Sequence, residues 1–129
     1  RPLTSANVHL ILKAIEIAYD AKTSADSALQ LRKSFFEDGL DIGNLELLFD
    51  LITSQGLDRS SVCEHIRTGS AMAALMSDYK QSQLQAIKGS PSYVINGGRQ
   101  ILYGNVGYRV IHANIEEHLK SPENEASWC

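Results

Sequence analysis

The run Gly89-Ser90-Pro91-Ser92-Tyr93-Val94-Ile95-Asn96-Gly97-Gly98 constrains this chain more than any other segment. Proline at the start of a strand removes no ladder hydrogen bond, so Pro91 marks where a strand can begin. Tyr93-Val94-Ile95 is aromatic and β-branched, the composition that suits a pleated surface. Asn96-Gly97-Gly98 supplies residues that tolerate positive φ, as a hairpin turn requires. Gln100-Ile101-Leu102-Tyr103 then reads as the returning strand. A fold for this chain must therefore place one β-hairpin late in the sequence.

Upstream of Lys88 the apolar residues recur with helical period. A first helix is expected from about Ser5 to Ala21. Val8, Ile11, Leu12, Ile15 and Tyr19 form one apolar stripe, and Leu10, Ala14, Ile17 and Ala21 form a second. Two apolar faces imply burial between layers. A second helix is expected over 24–38, ending at Asp38-Gly39, because glycine takes the left-handed position at low cost. A third spans 44–55, with Leu45, Leu48, Phe49 and Ile52 inward. Asp58 reads as the N-cap of a fourth helix holding Val62 and Ile66. Ser70 caps a fifth, which carries Met72, Leu75, Met76, Tyr79, Leu84 and Ile87. Asn105 caps a last helix, which packs Val110, Ile111, Ile115 and Leu119. Residues 121–127 read as a polar tail.

A length of 129 residues fits one domain, and 43% hydrophobic with 21% charged residues is ordinary for a globular chain. A net charge of −3 with no basic patch argues against nucleic acid as a partner. No apolar run is long enough to span a bilayer, so no membrane partner is expected. Arg1-Pro2-Leu3-Thr4 does not read as a signal peptide. The two cysteines, 63 and 129, form no disulfide framework. Together these imply a cytoplasmic protein, or a periplasmic one if a signal was removed upstream.

Few residues outside the hairpin invite chemistry. Cys63 on the fourth helix is expected to be a small buried hydrophobe. His65 lies two residues away, and such neighbours do not face each other on a helix, so a Cys-His pair is rejected. His9, His65, His112 and His118 show no metal-ligand spacing, and no metal site is expected. His112 and His118 are placed near the C-terminus of the last helix, where a cation meets the helix dipole favourably. Cys129, next to the single tryptophan Trp128, is the candidate redox thiol, presented by a tail that docks.

Gly-Ser-Pro-Ser-Tyr-Val-Ile-Asn-Gly over 89–97 resembles the cis-proline loop of thioredoxin-fold proteins, and most of all the DsbA-like branch. The stretch Leu102-Tyr103-Gly104-Asn105-Val106-Gly107-Tyr108-Arg109-Val110-Ile111 is similar to the strand-turn-helix that closes such domains. Leu31–Ile42 is similar to a helix of their inserted subdomain. The resemblance implies an α/β, thioredoxin-like fold that is mostly helical, with residues 1–88 as helical insert and 89–120 as cis-Pro hairpin and final helix. It implies a cis Ser90-Pro91 bond, with Gly89, Ser90 and Pro91 holding a peptide or glutathione substrate. The implied activity is thiol-disulfide oxidoreduction.

One departure is large. The Cys-x-x-Cys nucleophile of that family is absent from these residues. The chain is thus expected to carry the substrate platform without the attacking pair, to be inactive alone, and to need no cofactor beyond glutathione. It is expected to pair with its missing N-terminal half or to dimerise, because a lone hairpin leaves an open edge. Two other readings share the loop: a glutathione-dependent isomerase or transferase of the chromene-carboxylate isomerase or kappa-class type, and a non-catalytic interaction domain.

Overall fold

The computed structural model describes residues 4–120. The chain order is α1 (Ala6–Ala18), α2 (Ala21–Phe36), α3 (Leu45–Ser54), α4 (Arg59–Arg67), α5 (Ser70–Leu84), β1 (Ser92–Ile95), a single 3₁₀ turn (Asn96–Gly98), β2 (Gln100–Tyr103) and α6 (Tyr108–Lys120). It is a mostly helical chain with one small antiparallel sheet, compatible with the α/β class. Two compact units divide within α5, residues 1–80 and residues 81–129. Among the described residues no helix is long and apolar enough to cross a membrane.

The first unit is built on α1. Ile11, Ala14 and Ile15 are fully buried, and α1 meets α2, α3 and α4. Leu31 from α2, Leu48, Phe49 and Ile52 from α3, Val62 from α4 and Ala71 from α5 complete the core. In α1 and α3 the buried residues recur at i, i+3 or i+4, which keeps one helix face inward. The expected inward face of α3 is present, with Leu45 partly buried beside the other three. The second stripe of α1 is only half realised: Ala14 is buried, but Ile17 and Ala21 are exposed.

Caps set the helix boundaries. Asn44 Oδ1 accepts from the Glu46 and Leu47 amides at 3.0 and 3.3 Å, opening α3. Asp58 Oδ2 accepts from the Ser61 amide at 2.9 Å and from its hydroxyl at 2.6 Å, opening α4 as expected. The start of α2 differs from expectation. Asp20 Oδ1 accepts from the Thr23 amide at 2.6 Å, so α1 ends at Ala18 and Ala21 begins α2. Asn105 is not adjacent to α6, whose first residue is Tyr108. Ser70 is itself the first residue of α5, not a residue preceding it.

Polar contacts brace the core from outside. Lys13 is 16% exposed at its side chain and lies between Glu16 at 2.6 Å and Asp78 at 2.5 Å. The hydrogen bond to Asp78, with that to Glu16 next, raises the Lys13 ammonium above its ordinary value. The Tyr19 hydroxyl accepts from the Asp58 amide at 2.8 Å, tying the end of α1 to the start of α4. Arg59 stacks 4.7 Å from the Phe49 ring centroid while pairing with Glu46.

The second unit holds the hairpin and α6. No described residue from 81 to 120 is fully buried. The expected packing of Val110, Ile115 and Leu119 is not found: all three are exposed, and only Ile111 of that stripe is half-buried. A two-stranded sheet offers too little area to cover a helix face. Of the stripe expected on the fifth helix, Met72, Met76, Tyr79 and Leu84 are exposed, while Leu75 and Ile87 are half-buried.

Leu48→Ala should destabilise the chain by about 2–5 kcal/mol, because the cavity cannot refill. Leu84→Ala, at a residue 82% exposed, should change stability by less than about 0.5 kcal/mol. Urea titration of both variants checks the contrast. The caps add a pH dependence. The Ser61 hydroxyl and amide hold the Asp58 carboxyl below the usual carboxylate range, and the Thr23 amide does the same for Asp20. A lowered folded-state value favours the native state above the unfolded carboxylate value of ~3.9, and that contribution is lost as pH falls through the folded value. Asp58→Asn with Asp20→Asn keeps cap acceptors but removes titration. The double variant should show a flatter fall of melting temperature below about pH 4.

Candidate functional site

The approach to β1 is shaped by the end of α5. The Ile87 amide donates to the Ser82 carbonyl at 2.9 Å and the Ala86 amide to the Gln83 carbonyl at 3.0 Å. This is a Schellman closure with Ala86, at φ +53°, in the position that glycine usually fills. The Tyr103 hydroxyl donates to the Ala86 carbonyl at 2.9 Å, so the far end of β2 holds the turn that leads into the hairpin. Sequence reasoning missed both residues. A tyrosine ending a strand, with a polar tip on an apolar body, was the available signal.

Gly89, Ser90 and Pro91 follow, all exposed. The Ser90-Pro91 peptide bond is cis. The Ser92 hydroxyl donates back to the Gly89 carbonyl, closing a small loop around Ser90 and Pro91. The Gly104 amide donates to the Pro91 carbonyl at 2.9 Å, which extends the ladder one residue beyond β1. Loop and strand are thereby held at both ends, with Ser90 at the outer bend.

The hairpin register pairs Ser92 with Tyr103, Tyr93 with Leu102, Val94 with Ile101 and Ile95 with Gln100. The turn is a four-residue loop, longer than a two-residue hairpin turn. Asn96, Gly97 and Gly98 carry φ of +51°, +64° and +97°, the positive values that the sequence implied. Hydrogen-bonded and non-hydrogen-bonded pairs alternate along an antiparallel ladder. Since Pro91 pairs with Gly104, the hydrogen-bonded positions on β1 are 91, 93 and 95. The N–H and C=O groups of Ser92 and Val94 therefore face the outer edge of β1. The sheet has two strands, and among the described residues none pairs with that edge. On β2, Gln100 Oε1 lies 3.0 Å from His118 Nε2, which fastens the last turn of α6 to the hairpin. His112 lies in the first half of α6 rather than near its end, against Tyr108 and 3.6 Å from Glu116.

No cysteine accompanies this loop within the second unit's described residues. Cys63, expected to be buried, is exposed. Val62 and Ile66 turn inward on α4, and Cys63 falls with Arg59 and Arg67 on the outer face at i±4. Cys129 and Trp128 lie outside the described residues. His65 has a partner that the sequence did not suggest: Ser70 Oγ lies 3.0 Å from its Nδ1 and donates to its carbonyl at 3.1 Å. The pair joins the end of α4 to the start of α5. Among the described residues no cluster of three or more His, Cys, Asp or Glu could hold a metal. No known protein family, curated protein or solved structure matches the chain.

The register makes the edge testable. Amides of Ser92 and Val94 should exchange with solvent far faster than those of Tyr93 and Ile95, as read by residue-resolved hydrogen exchange. Equal protection at all four would mean that another strand covers β1.

Proposed function

We propose that this chain carries the substrate-positioning part of a DsbA-like, thioredoxin-fold thiol-disulfide oxidoreductase. One observation carries the reading: the exposed Gly89-Ser90-Pro91 loop runs directly into a strand whose outer edge offers the backbone of Ser92 and Val94. An extended peptide next to a disulfide, or glutathione, would pair with the main chain at Ser90 in the manner of strand addition. The edge at Ser92 and Val94 would take a further strand, from the N-terminal part of such a domain or from a second copy. In this chemistry a thiolate attacks a disulfide sulfur through a mixed disulfide. The attacking pair is not among these residues, since Cys63 and Cys129 stand alone. The chain holds the substrate while another segment supplies the thiols.

The test is an NMR titration with oxidised glutathione and with a short extended peptide bearing a glutathionylated cysteine. Shifts should concentrate at Gly89, Ser90 and Ser92, while the chain alone reduces insulin no faster than buffer. Shifts scattered over the helices, or none, would contradict the platform. Insulin turnover that Cys63→Ser removes would contradict the assignment of the thiols to another segment. Val94→Pro removes an outward N–H without touching the inner ladder. It should weaken any self-association seen by sedimentation, and unchanged association would place the contact elsewhere.

A further inference from the structure

We propose that the groove between the N-terminal half of α1 and the C-terminal half of α2 binds a small amphiphile with a carboxylate head and a linear apolar tail, a medium-chain fatty acid by chemical class. The groove lies wholly within the first unit and has a volume of about 280 Å³. That is just below the usual range of small-molecule sites, ~300 to 1,000 Å³, and suits a small ligand. Its apolar wall comes from Val8 and Leu12 of α1, Leu31 and Phe35 of α2, and Ile42. Leu31 is 1% exposed and belongs to the core, so the floor is fixed by the packing that holds the unit together.

Charge selects the head group. The polar side chains lining the groove are His9 and Arg32, and no acid lines it. Arg59 and Arg67 each have carboxylate partners, whereas Arg32 forms no ion pair among the described residues. A guanidinium beside an apolar groove matches a carboxylate through paired N–H donors. At the mouth, Phe36 is 74% exposed and stands edge-on to Phe35, with ring centroids 4.8 Å apart. Phe36 also lines the groove, so its apolar wall continues out to the solvent-facing edge.

Calorimetry with decanoate below its micelle concentration tests this, with decanol and decyltrimethylammonium as comparators. Decanoate should bind saturably, one per chain, and more tightly than either comparator by about tenfold, the size of a charge-assisted hydrogen bond. Arg32→Gln, at an exposed position, should erase that preference while leaving decanol binding unchanged. Ala28→Leu should fill the groove and abolish binding with the helical circular dichroism intact. Amide shifts on decanoate addition should cluster at His9, Leu31 and Phe35. Equal binding of the three amphiphiles would overturn the proposal, as would undiminished decanoate binding by Arg32→Gln, shifts centred elsewhere, or no binding at all.

Discussion

The burial of one face of α1 is the constraint on which the first unit depends. Ile11, Ala14 and Ile15 have no access to solvent, and α2, α3 and α4 all pack against that helix. Side chains this well enclosed cannot be shortened without leaving a void. The polar braces are placed around this helix. Lys13 reaches Asp78 on α5, and the Tyr19 hydroxyl meets Asp58 where α4 begins.

The hairpin unit rests on a different kind of interaction. It holds its shape through backbone pairing and a few side-chain ties: Tyr103 to Ala86, Ser92 to Gly89, Gln100 with His118. These fix geometry without fully burying any described residue from 81 to 120. That suits a segment whose proposed task is to present main-chain groups, since a loop sealed into a core could not pair with an incoming chain. It also leaves Leu119 of α6 76% exposed. Residues of this kind are where a further strand or a second copy would gain apolar contact.

Much of this was legible in the sequence where one physical rule acted locally. The hairpin followed from Pro91, the β-branched run and Asn96-Gly97-Gly98. Asp58 and Asn44 stood ahead of clear apolar patterns. The break at Asp20 was not legible, because Ala18-Tyr19-Asp20-Ala21-Lys22 contains neither glycine nor proline and the apolar stripes run through it. Tyr19 and Asp20 leave the helical backbone there, and Asp20 caps α2 through the Thr23 amide. Cys63 was misplaced because its residue type suggested burial, while its position between Val62 and Ile66 decided otherwise. The stripe on α6 was a true amphipathic pattern, but periodicity says which face is apolar and not whether anything covers it. At the candidate site the loop residues were legible. Tyr103 signalled a polar tip in need of a partner, but that the partner is the Ala86 carbonyl, 17 positions away, was not legible.

Among the described residues, full burial is confined to the α1-centred unit, while the hairpin unit is held chiefly by its ladder. Urea unfolding followed by NMR at single residues tests it most directly. Signals of Ile15 and Leu48 should disappear together at a higher urea concentration than those of Tyr93 and Leu102, giving two separated midpoints. One coincident transition at all four residues would contradict the claim and would mean that the hairpin shares the stability of the helical core.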